Sequence, residues 1–278
     1  MKPDRLSILL KTALEEIKSM GTYLVAISLR TDLNPPFSLR GRFVCLVNHI
    51  WDPITEVSTR FNASILLLLE IHGYKATFFI EISIAEKLQK ALKNIAFSSH
   101  EIAFYNVNSD AETVLKTKLK MEEILQKPIR GIRQKSHRLP YQEIKQGDFT
   151  YVSNIEDSTI SFLWRKLTGN SEIHTEEELT IVPESQSPYS QLPFNDYVFQ
   201  VTPMKYYENM LLESLQRKEY VMLYFNAWQF YSKDELPFDL PFYKKINLGR
   251  SFEDRLEALF QFIDDHEIAV SRMKDYLF

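Results

Sequence analysis

The stretch that decides the fold reads HGYKATFFI and spans residues 72–80. An apolar-periodic segment at residues 60–71 precedes it, which predicts a helix with Gly73 as its C-terminal cap. The residues that follow, 75–80, predict a buried strand. A helix that leads through a glycine into a strand is the repeating unit of a parallel α/β sheet.

The same alternation extends to both sides of this stretch. Residues 43–47 form a continuous apolar run, as in strands that are buried on both faces. Further strands are predicted at 101–104, 129–133 and 220–225, and further helices at 85–95, 110–126, 204–217 and from about 251. Residues 134–200 are predicted to be irregular. This order of elements predicts an α/β domain with a parallel sheet and right-handed crossovers.

The amino-terminal part of the chain carries a separate signal. Apolar residues recur at helical spacing between residues 4 and 20, which predicts an amphipathic helix. We expect residues 1–40 to form an N-terminal helix and extension packed on a main domain of residues 41–278. The alternative is a contact between this helix and a partner or a membrane surface.

Composition excludes several classes of protein. The chain has 278 residues with 33 basic and 37 acidic side chains, so it lacks the basic excess typical of a nucleic-acid surface. Its single cysteine, Cys45, excludes an intrachain disulfide and a cysteine-based zinc cluster, and is expected in the core. No secretory signal and no apolar run of about 18 residues is visible. We therefore expect a soluble, cytoplasmic protein without a transmembrane segment.

Glycine is scarce, with seven in the whole chain. This number argues against a glycine-rich phosphate loop. Gly73 and Gly131 are expected to lie in structural turns.

Candidate functional residues follow the predicted strands, because working groups in parallel α/β folds sit at the carboxyl ends of strands. Those that could line a site are Asn48, His49, Trp51, Asp52, Glu81, Tyr105, Ser109, Arg133, His137, Asp157, Asn226 and Trp228. Aromatic faces such as those of Trp51, Tyr105, Tyr224 and Trp228 suit the apolar C–H groups of sugar rings.

Several ordered segments resemble the polysaccharide deacetylase family, the NodB-homology carbohydrate esterases. HGYKATFF at 72–79 is similar to the family's G-x-K-A-T-F-F, and SHEIA at 99–103 to G-H-E-I-A/G. EEILQKPIRGIR at 122–133, EDSTI at 156–160 and LYFNAWQ at 223–229 are similar to three later motifs, and residues 243–259 to a C-terminal tail of such enzymes. The resemblance covers roughly residues 43–265. It implies a distorted (β/α) barrel, in a single domain with an extra N-terminal helix.

The resemblance also implies a chemistry, the metal-assisted hydrolysis of an acetyl group on a sugar. In the family an Asp and two His hold a divalent metal such as zinc, a second Asp is the base, a late His is the acid, and an Arg orients the base. Carried onto this chain, the base position falls on Asn48, the metal-binding Asp near His49, the metal histidines on Tyr105 and Ser109, and the acid on Asn226. The orienting arginine is retained as Arg133.

These replacements favour a protein that is impaired as a metal-dependent deacetylase, because an asparagine cannot take up a proton at neutral pH. We expect no metal cofactor, no nucleic-acid partner, and a carbohydrate or acetylated-sugar pocket or a non-catalytic role. The pocket would be lined by His49, Trp51, Asp52, Tyr105, Ser109, His137, Asp157 and Trp228. The alternatives are an active hydrolase with a rearranged site, in which His49, Asp52 and His137 could hold zinc, and a structural role. The oligomeric state stays open.

Overall fold

The computed structural model of the chain describes residues 39, 41–50, 58–135, 138–155, 172–236, 238–240 and 244–278, with the backbone alone at 58–63. The helix predicted at residues 4–20 lies outside these ranges, so the division at residue 40 stays a prediction. Four of the site candidates also lie outside them: Trp51, Asp52, His137 and Asp157.

A curled sheet of nine strands forms the centre of the molecule, in the order β6-β7-β5-β4-β3-β2-β1-β8 with β9 beside β1. The strands are β1 (Phe43–Ile50), β2 (Thr77–Glu81), β3 (Glu101–Asn106), β4 (Gly131–Lys135), β5 (Tyr151–Ile155), β6 (His174–Glu176), β7 (Leu179–Val182), β8 (Tyr220–Asn226) and β9 (Ala269–Ser271). All pairs are parallel except β6 with β7. The sheet curls into a half-barrel, which confirms the predicted α/β barrel-type fold.

Helices connect the strands. They are α1 (Ser58–Ile71), α2 (Ile82–Ala85), α3 (Gln89–Phe97), α4 (Ala111–Leu125), α5 (Tyr141–Gln146), α6 (Asp196–Val201), α7 (Met204–Arg217), α8 (Arg250–Asp265) and α9 (Met273–Leu277). Short 3₁₀ turns lie at Glu86–Leu88 and Ala227–Phe230. Gly73 follows α1 with φ of 67°, as predicted for a C-terminal cap. Within the described ranges, no helix is both long and apolar enough to cross a membrane.

Side chains on the strands alternate between two hydrophobic clusters. On β1, Val44 and Leu46 pack in the larger cluster with residues of the surrounding helices. Cys45 and Val47 pack in a smaller cluster inside the half-barrel, together with Tyr224. The core position predicted for Cys45 is therefore confirmed, and burial raises the pKa of its thiol. The face on which a residue lies decides whether it can reach the interior.

The prediction that residues 134–200 are irregular was wrong. This stretch contains α5, α6 and three strands, of which β5 pairs with β4 and β7 pairs with β5. These strands are five, three and four residues long, too short for a clear period in the sequence.

Beyond β7, Ser185 Oγ accepts a hydrogen bond from Met222 N at 2.9 Å, and Phe194 O accepts one from Tyr224 N at 3.0 Å. The irregular segment after β7 thus accepts hydrogen bonds from the edge of β8 that is not paired with β1.

Gly131 does not lie in a turn, contrary to the sequence prediction. It is the first residue of β4, and a Cβ at this position would lie 2.0 Å from Cζ of the Tyr151 ring. The absence of a side chain lets the buried Tyr151 ring lie directly on the β4 backbone.

Replacing Gly131 with alanine is expected to lower the free energy of unfolding by about 2 kcal/mol or more, because the new methyl group overlaps a packed ring. Urea denaturation measures this change. The matched control is Gly147→Ala, whose Cβ would meet the edge of the Phe149 ring at 3.0 Å and which is expected to cost less. An unchanged free energy of unfolding in Gly131→Ala would contradict the close contact between the Tyr151 ring and the β4 backbone.

Candidate functional site

Five inward-facing side chains meet at the carboxyl end of the half-barrel, and we call them the inner site: His49, Tyr105, Arg133, Tyr224 and Asn226. The strand register places His49 beside Asn226 and Tyr105 beside Arg133. The His49 and Tyr105 rings stack with their centroids 5.5 Å apart, and the Arg133 guanidinium lies 4.1 Å from the centroid of Tyr224. The sequence reasoning had named four of these five as site residues, and Tyr224 as an aromatic candidate.

His49 lies between two tyrosine rings. Its ring is stacked 5.7 Å from Tyr224 as well as against Tyr105, and the residue is 7% exposed. Burial, together with the nearby charge of Arg133, lowers the pKa of His49 well below its usual 6.5. His49 is therefore a neutral imidazole at physiological pH.

A chain of hydrogen bonds fixes the tautomer of this imidazole. Asn226 Nδ2 donates to Asp196 Oδ2 at 2.5 Å, and Asn226 Oδ1 accepts a hydrogen bond from the His49 ring, since the bond between these two side chains raises the pKa of His49 and so favours a ring nitrogen that carries a proton. Nε2 of His49 has no partner among the described residues, so the nitrogen that donates is Nδ1. The lone pair of Nε2 is consequently unused, in a ring that is more than nine-tenths buried.

Backbone geometry holds the two partners of His49 in place. Asn226 ends β8, and its N–H donates to Gln229 Oε1 at 3.0 Å. Asp196 is the first residue of α6, whose N-cap Asn195 accepts from Val198 N at 2.9 Å. Burial raises the pKa of Asp196, against the opposing effects of the Asn226 hydrogen bond and the Lys244 charge.

Arg133, the expected orienting arginine, is buried, and two of its three nitrogens are hydrogen-bonded, while Nε has no partner among the described residues. Its Nη1 donates to Ser153 Oγ at 2.6 Å, and its Nη2 donates to Glu184 Oε1 at 2.5 Å. Ser153 Oγ in turn lies 3.3 Å from Tyr224 OH. Among the described residues, the carboxylate beside Arg133 is thus Glu184, which follows β7.

Asn48 is not brought to the inner site. It alternates with His49 on β1 and pairs with Phe78 and Phe225, which belong to the cluster beneath the helices. It is 1% exposed, and neither polar atom of its side chain has a hydrogen-bond partner among the described residues. The residue at the family's base position therefore lies on the opposite face of the strand from His49.

The other described candidates lie at the edge of the site. Ser109 sits in a turn after β3, where its N–H donates to Asn106 Oδ1 at 2.8 Å. Trp228 lies in the 3₁₀ turn after β8 and is 3% exposed, so its ring offers little surface to a sugar.

Within the described residues, the side chains do not fit the metal that the family resemblance implies. The resemblance carries the three metal-ligand positions to near His49 and onto Tyr105 and Ser109. Burial raises the pKa of Tyr105, so its hydroxyl stays protonated and is a poor ligand. Zinc takes three or four His, Cys or carboxylate ligands. Among the described residues, no three such side chains are grouped so that they could hold a metal ion.

Comparison with known proteins identifies the architecture. No protein-family model and no curated protein sequence matches the chain. Among solved structures, it is similar to a probable polysaccharide deacetylase from Pseudomonas aeruginosa, with a TM-score of 0.58, 11% identity, and coverage of 87% of this chain and 93% of the other. The chain has the polysaccharide deacetylase fold.

Two further structures share this fold. One is the Puue allantoinase, with a TM-score of 0.55, 12% identity and coverage of 87% and 92%. The other is a mutant of a CE4 family pseudoenzyme, with a TM-score of 0.50, 11% identity and coverage of 85% and 67%. At such identities the likeness fixes the fold alone, and the polysaccharide deacetylase fold carries more than one chemistry.

Two acidic residues of the site escaped the sequence reasoning. Glu184 follows β7, a strand that the sequence pattern does not predict, so the sequence does not mark it as a strand-end residue. Asp196 follows Asn195, and a helix-capping residue before an apolar run is a signal that would have revealed the start of α6. Glu184 contacts Arg133 and Asp196 contacts Asn226 only because the chain folds, so the spacing of these residues in the sequence does not predict the contacts.

His49 is expected to stay neutral, with its proton on Nδ1, well below about pH 6.5, where an exposed imidazole titrates. Nitrogen-15 shifts of the imidazole measure both charge and tautomer, and the His49→Gln variant assigns the signal. Asn226→Leu, which removes the acceptor, is expected to abolish the tautomer preference. A His49 ring that titrates near pH 6.5 would contradict this assignment.

The same neutral state affects stability. Below about pH 6.5 the unfolded chain binds a proton at His49, whereas the folded chain does not. The free energy of unfolding is therefore unaffected by His49 above that pH. On acidification below it, the free energy of unfolding falls by up to about 1.4 kcal/mol per pH unit. Urea denaturation of wild type and His49→Gln at several pH values is expected to show a shallower acid loss in the variant. Parallel pH profiles would contradict the expectation.

Proposed function

We propose that this chain is a divergent member of the polysaccharide deacetylase family that binds a carbohydrate at the inner site without metal-dependent deacetylation. The proposal joins two facts, a shared fold and a changed set of polar groups at the carboxyl end of the strands. Members of a fold retain or lose an activity through the residues of the site.

The observation that supports loss of the metal chemistry is the donor set around His49. Metal-assisted hydrolysis needs ligands that hold the ion, a base that activates water and an acid for the leaving group. Here Tyr105 and Ser109 stand at ligand positions, Asn48 faces away, and Asn226 is an amide that is already bonded to Asp196. Arg133 is engaged by Glu184.

The observation that supports a sugar ligand is the combination of aromatic rings and polar groups at one end of the barrel. Tyr105 is partly exposed and stacks on His49, and the carboxylates of Glu184 and Asp196 lie close to it. Sugars are bound by aromatic faces that pack on C–H groups and by acceptors for hydroxyl groups.

A second candidate function is hydrolysis of an acetyl group without a metal. What favours it is His49 Nε2, a lone pair that could take a proton from water. Its lowered pKa makes His49 a weak base, so binding is the better-supported reading.

Protein purified after growth with added zinc, nickel or cobalt is expected to contain much less than one metal ion per chain, because Tyr105 and Ser109 do not replace histidine ligands. Elemental analysis by mass spectrometry gives the ratio. One tightly held ion per chain that is lost in His49→Ala would contradict the proposal and favour the rearranged metal site.

Calorimetry with a panel of acetylated and free-amine amino-sugar oligosaccharides is expected to detect saturable binding, without acetate release above the buffer blank. Binding should be lost in Tyr105→Ala, because the stacking face is removed. The matched control is Tyr189→Ala, an exposed tyrosine that contacts Arg217 away from the inner site. Acetate release that depends on His49 would favour the second candidate, and no binding to any member of the panel would overturn the first.

A further inference from the structure

Three carboxylates lie next to residues of the inner site. Glu81 at the end of β2 pairs with Tyr105, Glu184 after β7 accepts a hydrogen bond from Arg133, and Asp196 at the start of α6 accepts one from Asn226. Because three separate elements supply them, they form a rim of negative charge on more than one side of the site.

Their positive partners are fewer. Arg133 is bonded to Glu184, and Lys244 acts electrostatically on Asp196. Glu81 accepts hydrogen bonds from the N–H and hydroxyl of Ser83, and within the described ranges it forms no ion pair with a lysine or arginine. The neutral His49 adds no positive charge. In the part of the chain that the structure describes, three carboxylates are thus balanced by two cations.

A second, independent feature points to a ligand at the same place. His49 Nε2 is an unpartnered hydrogen-bond acceptor in a side chain that is more than nine-tenths buried, on the inward face of β1 against Tyr105. A buried acceptor without a donor costs free energy, which a ligand N–H would recover. The partly exposed ring of Tyr105 can attract a cation through its π face, whereas the Tyr224 ring is buried and already contacts Arg133.

We propose that the inner site recognises the protonated amine of a free-amine amino sugar in preference to the neutral acetamido group of an acetylated one. The inference rests on the proposed function, since it names the chemical class of the sugar. An ammonium group offers N–H donors and positive charge to carboxylates, to the Nε2 lone pair and to aromatic faces. An acetamido group is neutral, so it gains no attraction from the charge of the three carboxylates, and Nη1 and Nη2 of Arg133 already donate to Ser153 and Glu184.

The test compares two ligands of equal length with the full chain. Calorimetry measures the affinity for a glucosamine tetrasaccharide and for the corresponding N-acetylglucosamine tetrasaccharide, at a pH low enough to protonate the sugar amine. The free-amine ligand is expected to bind about tenfold or more tightly, and its affinity is expected to fall as salt is added.

Two variants remove a carboxylate while keeping an oxygen for its hydrogen bonds. Glu81→Gln can still accept from Ser83, and Asp196→Asn can still accept from Asn226 Nδ2. Each is expected to reduce the preference for the free amine by about threefold to tenfold, with the N-acetyl ligand little affected. The matched control is Glu178→Gln, which removes one exposed carboxylate at the opposite end of β7 from Glu184. Thermal unfolding checks that each variant is folded, and the two variants test the inference independently.

The outcomes separate the two proposals. Preference for the free amine that falls in Glu81→Gln or Asp196→Asn, but not in Glu178→Gln, supports the inference. Equal binding of both tetrasaccharides, or preference for the acetylated one, overturns it and leaves carbohydrate binding intact. Binding of neither tetrasaccharide, nor of any other sugar in the panel, overturns the inference together with the proposed function.

Discussion

The arrangement of the site depends on the alternation of side chains along parallel strands that curl into a half-barrel. Each inward residue has neighbours directed at the helices, so two consecutive residues cannot both enter the interior. On β1 this constraint sends Cys45, Val47 and His49 inward and Asn48 outward. The same alternation brings Tyr105, Arg133 and Ser153 to one level of the sheet.

Arg133 illustrates how a retained residue need not mean a retained reaction. The guanidinium is 2% exposed, and a charge so deeply buried must be compensated, because leaving it unpaired costs about 3–5 kcal/mol. Glu184 supplies the compensation. It lies on the same irregular segment as Ser185, which accepts a hydrogen bond from the backbone of β8. Through its bond to Glu184, Arg133 therefore holds that segment against the barrel. This structural role accounts for an arginine at this position without any catalytic requirement.

Much of the fold was predictable because its signals are local. The glycine before the strand predicted at 75–80, the apolar run at 43–47 and the helical period at 110–126 are each signals carried by neighbouring residues. The strands β5, β6 and β7 are short and include polar residues, so their place in the sheet is set by pairing with distant strands. The residues of the site divide in the same way, into those with a local sequence signal and those placed by distant contacts. Strand-end reasoning identified His49, Tyr105, Arg133 and Asn226, whereas Glu184 and Asp196 enter through contacts across the barrel.

The chain from Asp196 through Asn226 to His49 favours binding over hydrolysis. A carboxylate behind a histidine commonly fixes its tautomer and helps it to gain a proton. Here an amide stands between them, so the tautomer is fixed while no proton can pass from His49 to Asp196. Burial and Arg133 further disfavour the charged ring. A hydrolytic step would need His49 to take a proton and a second group to return one to the leaving amine, and the amide of Asn226 beside His49 cannot return one. Binding requires only the unused lone pair, the carboxylates and the aromatic faces that the site already holds.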